Sequence, residues 1–375
     1  MGGLERGNVK IMKVIIAAAG TGGHINPGIA IANEIKKHHS NAEIIFIGAG
    51  RGLENDLVPR AGYKLQNLEA YGIERKINIQ NIKNAIKTLK SYKTAKNIVK
   101  KINPDVIIGT GGYICGPVCS AGINLKIPTI LHESNAFPGM AVKILSKKVD
   151  AVLAGFENTK KRLPKAKKVI VTGTPTKVEK IKLSEEQKEN IKKQFNIENK
   201  LPIVTIFGGS QGAESINKCL IEVINEKLNK NYQIIWAVGN KNYEEVEKSI
   251  KNSENVCIVP YIYNMEEVMN LADLVVARSG AMTITEVAKC GKPAIFIPYP
   301  YATENHQEYN ARVLADAGAA RIILDRELTK ETLNKTINEM ISDKEKIEQM
   351  GEKAEQVSIK NVEDKIYKEI EKLIK

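Results

Sequence analysis

Short apolar runs alternate along this chain with longer stretches in which apolar residues recur every third or fourth position. In the first half, runs at 13–19, 43–47, 105–109 and 129–132 are rich in Ile, Val and Ala and read as buried strands. Between the first two, residues 27–38 repeat at helical spacing and predict a helix opening at Pro27, whose fixed φ suits a first turn. The rhythm restarts after Pro164, with strands expected at 203–207, 233–238, 256–260, 274–277 and 294–297. Helices are expected from Glu214 and over 283–290, the second closed by Gly291. Strands alternating with helices predict parallel sheets with crossover helices, so the fold class is α/β. Two such series predict two domains joined near 164–177, where Pro, Thr and Lys accumulate. The expected division is 12–165, 166–340 and a C-terminal helical segment, 341–375. Residues 340–375 read as helical throughout, with Ile359, Val362, Ile366, Ile370 and Leu373 three or four apart. A helix so late either docks on earlier structure or stays solvated.

Composition narrows the class. A chain of 375 residues exceeds one ordinary core and agrees with two domains. The five cysteines (115, 119, 219, 257 and 290) form no CxxC pair, and an odd, scattered set fits reduced thiols. Residues 1–12 are polar, with no secretory signal expected, and no run approaches the ~18 apolar residues of a membrane span. Net charge is +13, and residues 60–102 hold 11 Lys or Arg against 2 Glu. Such a patch suits nucleic acid, acidic lipid or anionic substrates equally. The apolar positions Ile79, Ile82, Ile86, Leu89, Tyr92, Ala95, Val99 and Ile102 in the same stretch make a basic amphipathic element, facing either core or lipid.

The chemistry lies in glycine loops that follow strands. GTGGHINPG (20–28) lacks the third glycine of a dinucleotide fingerprint, because position 25 is Ile25. It also lacks a Walker lysine, so NAD and P-loop readings both weaken. What remains is a helix N-terminus whose amides suit an anion or a polar sugar. His24 at its rim is either a general base near neutral pH or a cap on the loop. In the second half GGSQGA (208–213) repeats the geometry. A helix dipole alone supplies only ~0.3–1 kcal/mol at an exposed site, so a diphosphate needs more donors. Ser210, the amides around Gln211 and the cation Lys177 are candidates. The run SGAMTITE (279–286) places Glu286 at the carboxyl edge of the sheet, where a carboxylate takes both hydroxyls of a ribose or merely complements a helix dipole. In ENHQEYNA (304–311), Gln307 and Asn310 share a helix face and suit sugar hydroxyls, unless the segment is only a polar loop. The eight aspartates form no DxD, and His and Cys spacings give no zinc site, so no metal or cofactor is expected.

Six motifs in order, GTGGHINPG, GTGGYICGP (109–117), HESNAFPG (132–139), GGSQGA, SGAMTITE and the HQ…NA segment, closely resemble the MurG family of bacterial UDP-N-acetylglucosamine transferases. The resemblance covers nearly the whole chain. It implies a GT-B architecture: two Rossmann-like domains facing a cleft, with a C-terminal helix packing back across the join. It implies an inverting transfer of GlcNAc from UDP-GlcNAc to the MurNAc 4-hydroxyl of undecaprenyl-linked lipid I, giving lipid II. By the same resemblance Thr21, Gly22, Gly23 and Asn135 contact substrate. Ser210, the Ile262 backbone, the segment Ala281, Met282, Thr283, Ile284, Thr285 and Glu286, and Gln307 contact the donor. His24 becomes a candidate base, with Glu133 or a substrate-assisted path as alternatives. The implied partners are the two substrates and an anionic membrane surface, not nucleic acid, at the cytoplasmic face of the membrane. The family often has Asn-Pro-Val-Arg after the glycine near 173, where this chain has Thr174-Pro175-Thr176-Lys177; a lysine lacks the planar fork of arginine. His306 stands where a second glutamine is frequent, and Ser134 replaces a common glutamine. A UDP-GlcNAc epimerase of the same architecture and a non-catalytic binder of lipid or nucleic acid are the competing functions.

Overall fold

The computed structural model describes residues 11–70, 79–197, 200–209, 212–251 and 254–375, and for 79–89 the backbone only. Contacts divide the chain into two units. The first comprises Met1–Ser134, Pro138–Pro175 and Asn361–Lys375, and the second Asn135–Phe137 and Thr176–Lys360.

The strands of the first unit are β1 (Lys13–Ala18), β2 (Glu43–Gly48), β3 (Lys64–Asn67), β4 (Val106–Gly111), β5 (Thr129–Glu133), β6 (Ala151–Ala154) and β7 (Val169–Val171). They form a seven-stranded parallel sheet in the order β3-β2-β1-β4-β5-β6-β7. The second unit has β8 (Ile203–Phe207), β9 (Gln233–Ala237), β10 (Val256–Val259), β11 (Leu274–Ala277), β12 (Ala294–Phe296) and β13 (Ala320–Ile322). These make a six-stranded parallel sheet in the order β10-β9-β8-β11-β12-β13. Central strands are apolar along their whole length because helices cover both faces of each sheet; Val14 to Ala18 and Leu274 to Ala277 are fully buried. The expected α/β class and the doubled series hold. The strands β3, β6, β7 and β13 carried no strong signal, being three or four residues long at or beside a sheet edge, and β3 is largely polar.

Strand order fixes where each sheet opens. In the first unit the chain leaves β1 toward β2 and returns to β4 on β1's other side. In the second, β8 and β11 stand in the same relation. Loops leaving the carboxyl ends of such a strand pair diverge, and the gap between them is where open α/β sheets bind ligands.

Two expectations change. The first helix is Gly22–His38, with Thr21 as an extended N-cap, so Pro27 lies inside it and Gly22, Gly23 and His24 form its first turn. The His24 and Ile25 amides donate to the Thr21 carbonyl at 3.0 and 3.2 Å, which closes the turn ahead of Pro27, and Pro27 only forgoes one interior hydrogen bond. The C-terminal region is not one helix but Lys330–Ile341, Lys344–Val357 and Val362–Ile374. Asp343 caps the second by accepting from the Lys346 amide, and Asn361, at φ 55°, turns the chain into the third.

That last helix docks rather than remaining solvated. It packs on helix Gly22–His38 of the first unit, burying Val362, Ile366, Tyr367 and Ile370. The Tyr367 ring stacks on His38 at 3.8 Å, and its hydroxyl lies 2.9 Å from His39 Nε2. The long helix Ile79–Ile102 places Ala95 and Val99 in the core beside Val118 and Cys119, so this part of its apolar face meets protein. Ile79, Ile82, Ile86 and Leu89 lie outside the described side chains. Among the described residues no helix is long and apolar enough to cross a membrane.

Replacing Ile370 by alanine is expected to lower stability by about 2–4 kcal/mol, as large-to-small core changes do. The urea midpoint measures it, and an unchanged midpoint would show that the docked helix contributes nothing.

Candidate active site

In the first unit the loop after β1 meets the loop after β4. Their pairing slips by one residue between Ala17 and Ala18, so Ala18 lies opposite Gly111. His24 sits in this gap, half-exposed, its Nδ1 3.0 Å from the Ala19 carbonyl oxygen. A carbonyl can only accept, so Nδ1 carries the proton in the neutral ring and Nε2 presents a lone pair. Among the described residues no hydrogen bond to Nε2 is made. Thr110 Oγ1 donates to the His24 carbonyl at 2.8 Å, tying the helix start to β4. The ring lies against Gly111, where an added Cβ would come within 2.2 Å of His24 Cδ2. Only glycine fits there, which explains the second GTGG motif. Thr21 is exposed, and Gly22 and Gly23 are half-exposed.

Two neighbouring groups in this unit are fixed otherwise. His132 is buried with Nε2 3.0 Å from the Gly173 carbonyl, and burial pushes its pKa down to about 4, so it stays neutral. Glu133 is buried and accepts from the Gly139 amide at 2.8 Å.

In the second unit the corresponding gap lies between the loops after β8 and β11, whose last residues Phe207 and Ala277 are in register. Gly208, Gly209 and Gly212 lead into helix Glu214–Asn225; Ser210 and Gln211 lie outside the described residues. Gly212 abuts β9, since a Cβ there would meet the Val238 carbonyl oxygen at 2.2 Å. Across the gap, helix Ala281–Cys290 starts at Gly280 without a side-chain cap, leaving its first amides open. Ala281 and Ile284 are buried, Met282 and Thr283 are half-exposed, and Thr285 Oγ1 donates back to the Ala281 carbonyl at 2.9 Å. Ser279 Oγ is buried without a partner among the described residues. Arg278 braces the region, donating to the Ile297 and Pro298 carbonyls, to Asp325 and to Ser215 at 2.6–3.1 Å.

Glu286 stands in the second turn of the same helix. Its Oε1 accepts from Thr176 Oγ1 at 3.0 Å, and burial of the carboxylate raises its pKa to about 7, although the residue as a whole is half-exposed. Lys177, next to Thr176, is exposed. Ile262 follows β10 and is buried between the exposed Tyr261 and Tyr263. Gln307 and Asn310 part company. Gln307 is half-exposed and uses Oε1 to accept from the Tyr299 amide at 2.9 Å, leaving its amide donors. Asn310 is fully buried. It accepts from the Ala136 amide at 2.8 Å and donates to Asn135 Oδ1 at 3.1 Å and the Ser279 carbonyl at 3.2 Å. Asn310 therefore holds Asn135 in place, with Phe137 stacked on Tyr309 at 4.6 Å beside it.

Residues 14–154 match the glycosyltransferase family 28 N-terminal domain and residues 203–366 the C-terminal domain of the same family. The chain is 42% identical over 97% of its length to a UDP-N-acetylglucosamine–N-acetylmuramyl-(pentapeptide) pyrophosphoryl-undecaprenol N-acetylglucosamine transferase of Bacillus cereus, matched over 100% of that protein. The enzyme of the same name from Acetivibrio thermocellus is likewise 42% identical, covering 97% of this chain and 99% of the relative. The chain belongs to the MurG family. The crystal structure of Acinetobacter baumannii MurG superimposes with TM-score 0.78 at 29% identity, covering 96% of this chain and 99% of that one. A Neisseria meningitidis UDP-GlcNAc 2-epimerase, at TM-score 0.63 and 16% identity over 96% of this chain and 100% of that one, shares the fold. The protein is a glycosyltransferase with the GT-B fold of its MurG relatives.

Within this MurG-family chain, sequence reasoning missed Glu54. It is fully buried and accepts from the amides of Gly20, Ala49 and Gly52 at 2.9–3.2 Å, lacing the loop after β1 to the loop after β2. Burial alone would raise its pKa, but backbone donors, Gly20 foremost, hold it below the usual carboxylate value. Its signal was a lone glutamate just after Gly48, Gly50 and Gly52.

Glu286 supplies a stability test. As pH rises from 4.5 toward about 7, the unfolded carboxyl loses its proton before the folded one, so its contribution to stability is present at pH 4 and lost by pH 8. At about 1.4 kcal/mol per pH unit the ceiling is about 3 kcal/mol. Glu286→Gln, which cannot ionise, is expected to be more stable than the parent at pH 8 by about 1–3 kcal/mol and equal to it at pH 4, measured by denaturant melts.

Proposed function

We propose that this enzyme transfers N-acetylglucosamine from UDP-N-acetylglucosamine to the 4-hydroxyl of the N-acetylmuramyl group of undecaprenyl-linked lipid I, forming lipid II for peptidoglycan. The end-to-end match to transferases named for that donor and acceptor carries the proposal. The geometry of His24 supports the mechanism. Nε2 takes the proton of the acceptor hydroxyl while Ala19 holds Nδ1–H and steadies the imidazolium that forms. The oxygen attacks the anomeric carbon opposite the leaving group, the bond from that carbon to the β-phosphate oxygen breaks, and its electron pair departs with UDP. Configuration inverts.

The donor belongs to the second unit. Open amides at the starts of helices Glu214–Asn225 and Ala281–Cys290, with Ser210, Gln211, Thr283 and Lys177, receive the diphosphate. Glu286 takes the ribose hydroxyls, the Ile262 backbone the uracil, and the Gln307 amide the sugar. Thr21, Gly22, Gly23 and Asn135 hold substrate, Asn135 being set by Asn310. Docking at the cytoplasmic face of the membrane completes the proposal. The exposed Met140 and Ile144 (44% and 61%) stand beside Lys143, Lys147 and Lys148, an apolar and cationic set suited to anionic lipid.

Radiolabelled GlcNAc is expected to pass from UDP-GlcNAc into the butanol-soluble fraction only when lipid I or a short analogue is supplied, and EDTA should leave most of the activity. Acceptor-independent conversion of free UDP-GlcNAc would instead reveal an epimerase. His24→Ala is expected to lower turnover roughly 10²–10⁴-fold while UDP still binds. An unaltered turnover would move the base elsewhere.

A further inference from the structure

The carboxylate of Glu286 has one hydrogen-bonding neighbour among the described residues, the hydroxyl of Thr176, at 3.0 Å. That hydroxyl is itself oriented. It accepts from the Val178 amide at 3.3 Å, which engages a lone pair and turns its single proton toward Glu286. Thr176 is buried and follows Pro175, whose ring fixes the local backbone. The chain beyond is pinned as well: the Glu179 amide donates to Glu266 at 2.8 Å, and Asn270 Nδ2 donates to the Glu179 carbonyl at 2.8 Å. The nearby cation Lys289 is paired with Glu179. Thr176 thus anchors one carboxylate oxygen, and the second is left for a ligand.

We propose that the Thr176 hydroxyl is a positioning residue for ribose recognition, clamping Oε1 of Glu286 so that the carboxylate presents its remaining acceptor sites to the vicinal hydroxyls of the donor nucleotide. The proposal rests on the reading of Glu286 as the ribose ligand. A carboxylate on a side chain with several rotatable bonds recognises two adjacent hydroxyls well only when its plane is fixed beforehand, since otherwise binding must order it. Valine has the same shape as threonine and lacks only the donor, so the exchange tests the hydroxyl with packing preserved.

The test uses the whole enzyme and two probes, UDP and its 2′,3′-dideoxy analogue, with affinities measured by calorimetry. Thr176→Val is expected to weaken UDP about tenfold, the usual effect of removing a hydrogen bond to a charged group. The dideoxy analogue should change less than twofold, so discrimination between the probes shrinks. Thr176→Ser should restore it. In the transfer assay the loss should fall on the KM for UDP-GlcNAc more than on kcat. Equal weakening of both probes, or no rescue by serine, would overturn the proposal and leave Thr176 a packing residue. Glu286→Ala separates the two levels. If it abolishes discrimination while Thr176→Val preserves it, the positioning role is wrong and the ribose ligand right. If Glu286→Ala also preserves discrimination, the ribose reading itself falls.

Discussion

Parallel strands end with their backbone groups aimed at the next loop, and where neighbouring connections diverge nothing in the sheet fills the space. Both units of this protein open such a gap, between β1 and β4 and between β8 and β11. The gap is useful only if backbone is allowed to come close. At Gly111 the missing side chain lets the His24 ring lie against the loop, and at Gly212 it lets the helix entry settle on the end of β9. No single contact there is strong. A helix terminus contributes ~0.3–1 kcal/mol toward an anion at an exposed site, so such a site works by gathering many fixed donors.

Glu54 and Glu286 show how the number of donors decides what a buried carboxylate does. Three amides reach Glu54, and its charge is held as a permanent tie between two loops. Among the described residues a single hydroxyl reaches Glu286, so burial dominates and raises its pKa. A carboxylate in that condition gains from any ligand that brings hydroxyls. The histidines divide in the same way. His132 is enclosed and kept neutral far below its ordinary range, whereas His24 has one nitrogen fixed by a carbonyl and the other turned to a half-open gap.

Asn310 adds a different kind of constraint. It lies inside the second unit and binds the short segment Asn135–Phe137, which interrupts a stretch of chain otherwise belonging to the first. The last helix does the reverse, returning from the second unit to helix Gly22–His38. Each unit is thus closed by a piece of chain that is distant in sequence, and the residues that make those closures are ordinary: an asparagine, a stacked tyrosine, three aliphatic side chains.

The sequence by itself determined the α/β class, the doubling, most central strands and the motifs, because hydrophobic period and glycine position are local properties. It left His24 open between base and cap, and Glu286 open between ribose ligand and dipole partner. It paired Gln307 with Asn310 by helical spacing, yet one is half-exposed and the other fully buried. It also missed Glu54, the bond between Thr176 and Glu286, and the short strands β3, β6, β7 and β13. Tertiary structure alone set the surroundings of these residues: the tautomer of His24 depends on a carbonyl five residues away, the hydrogen bond that Glu286 accepts comes from a hydroxyl 110 positions away, and the charge of Glu54 depends on amides from two separate loops. Local pattern fixes what a residue is able to do; which atoms surround it is settled only when distant segments pack, and that packing sets proton position, charge and direction.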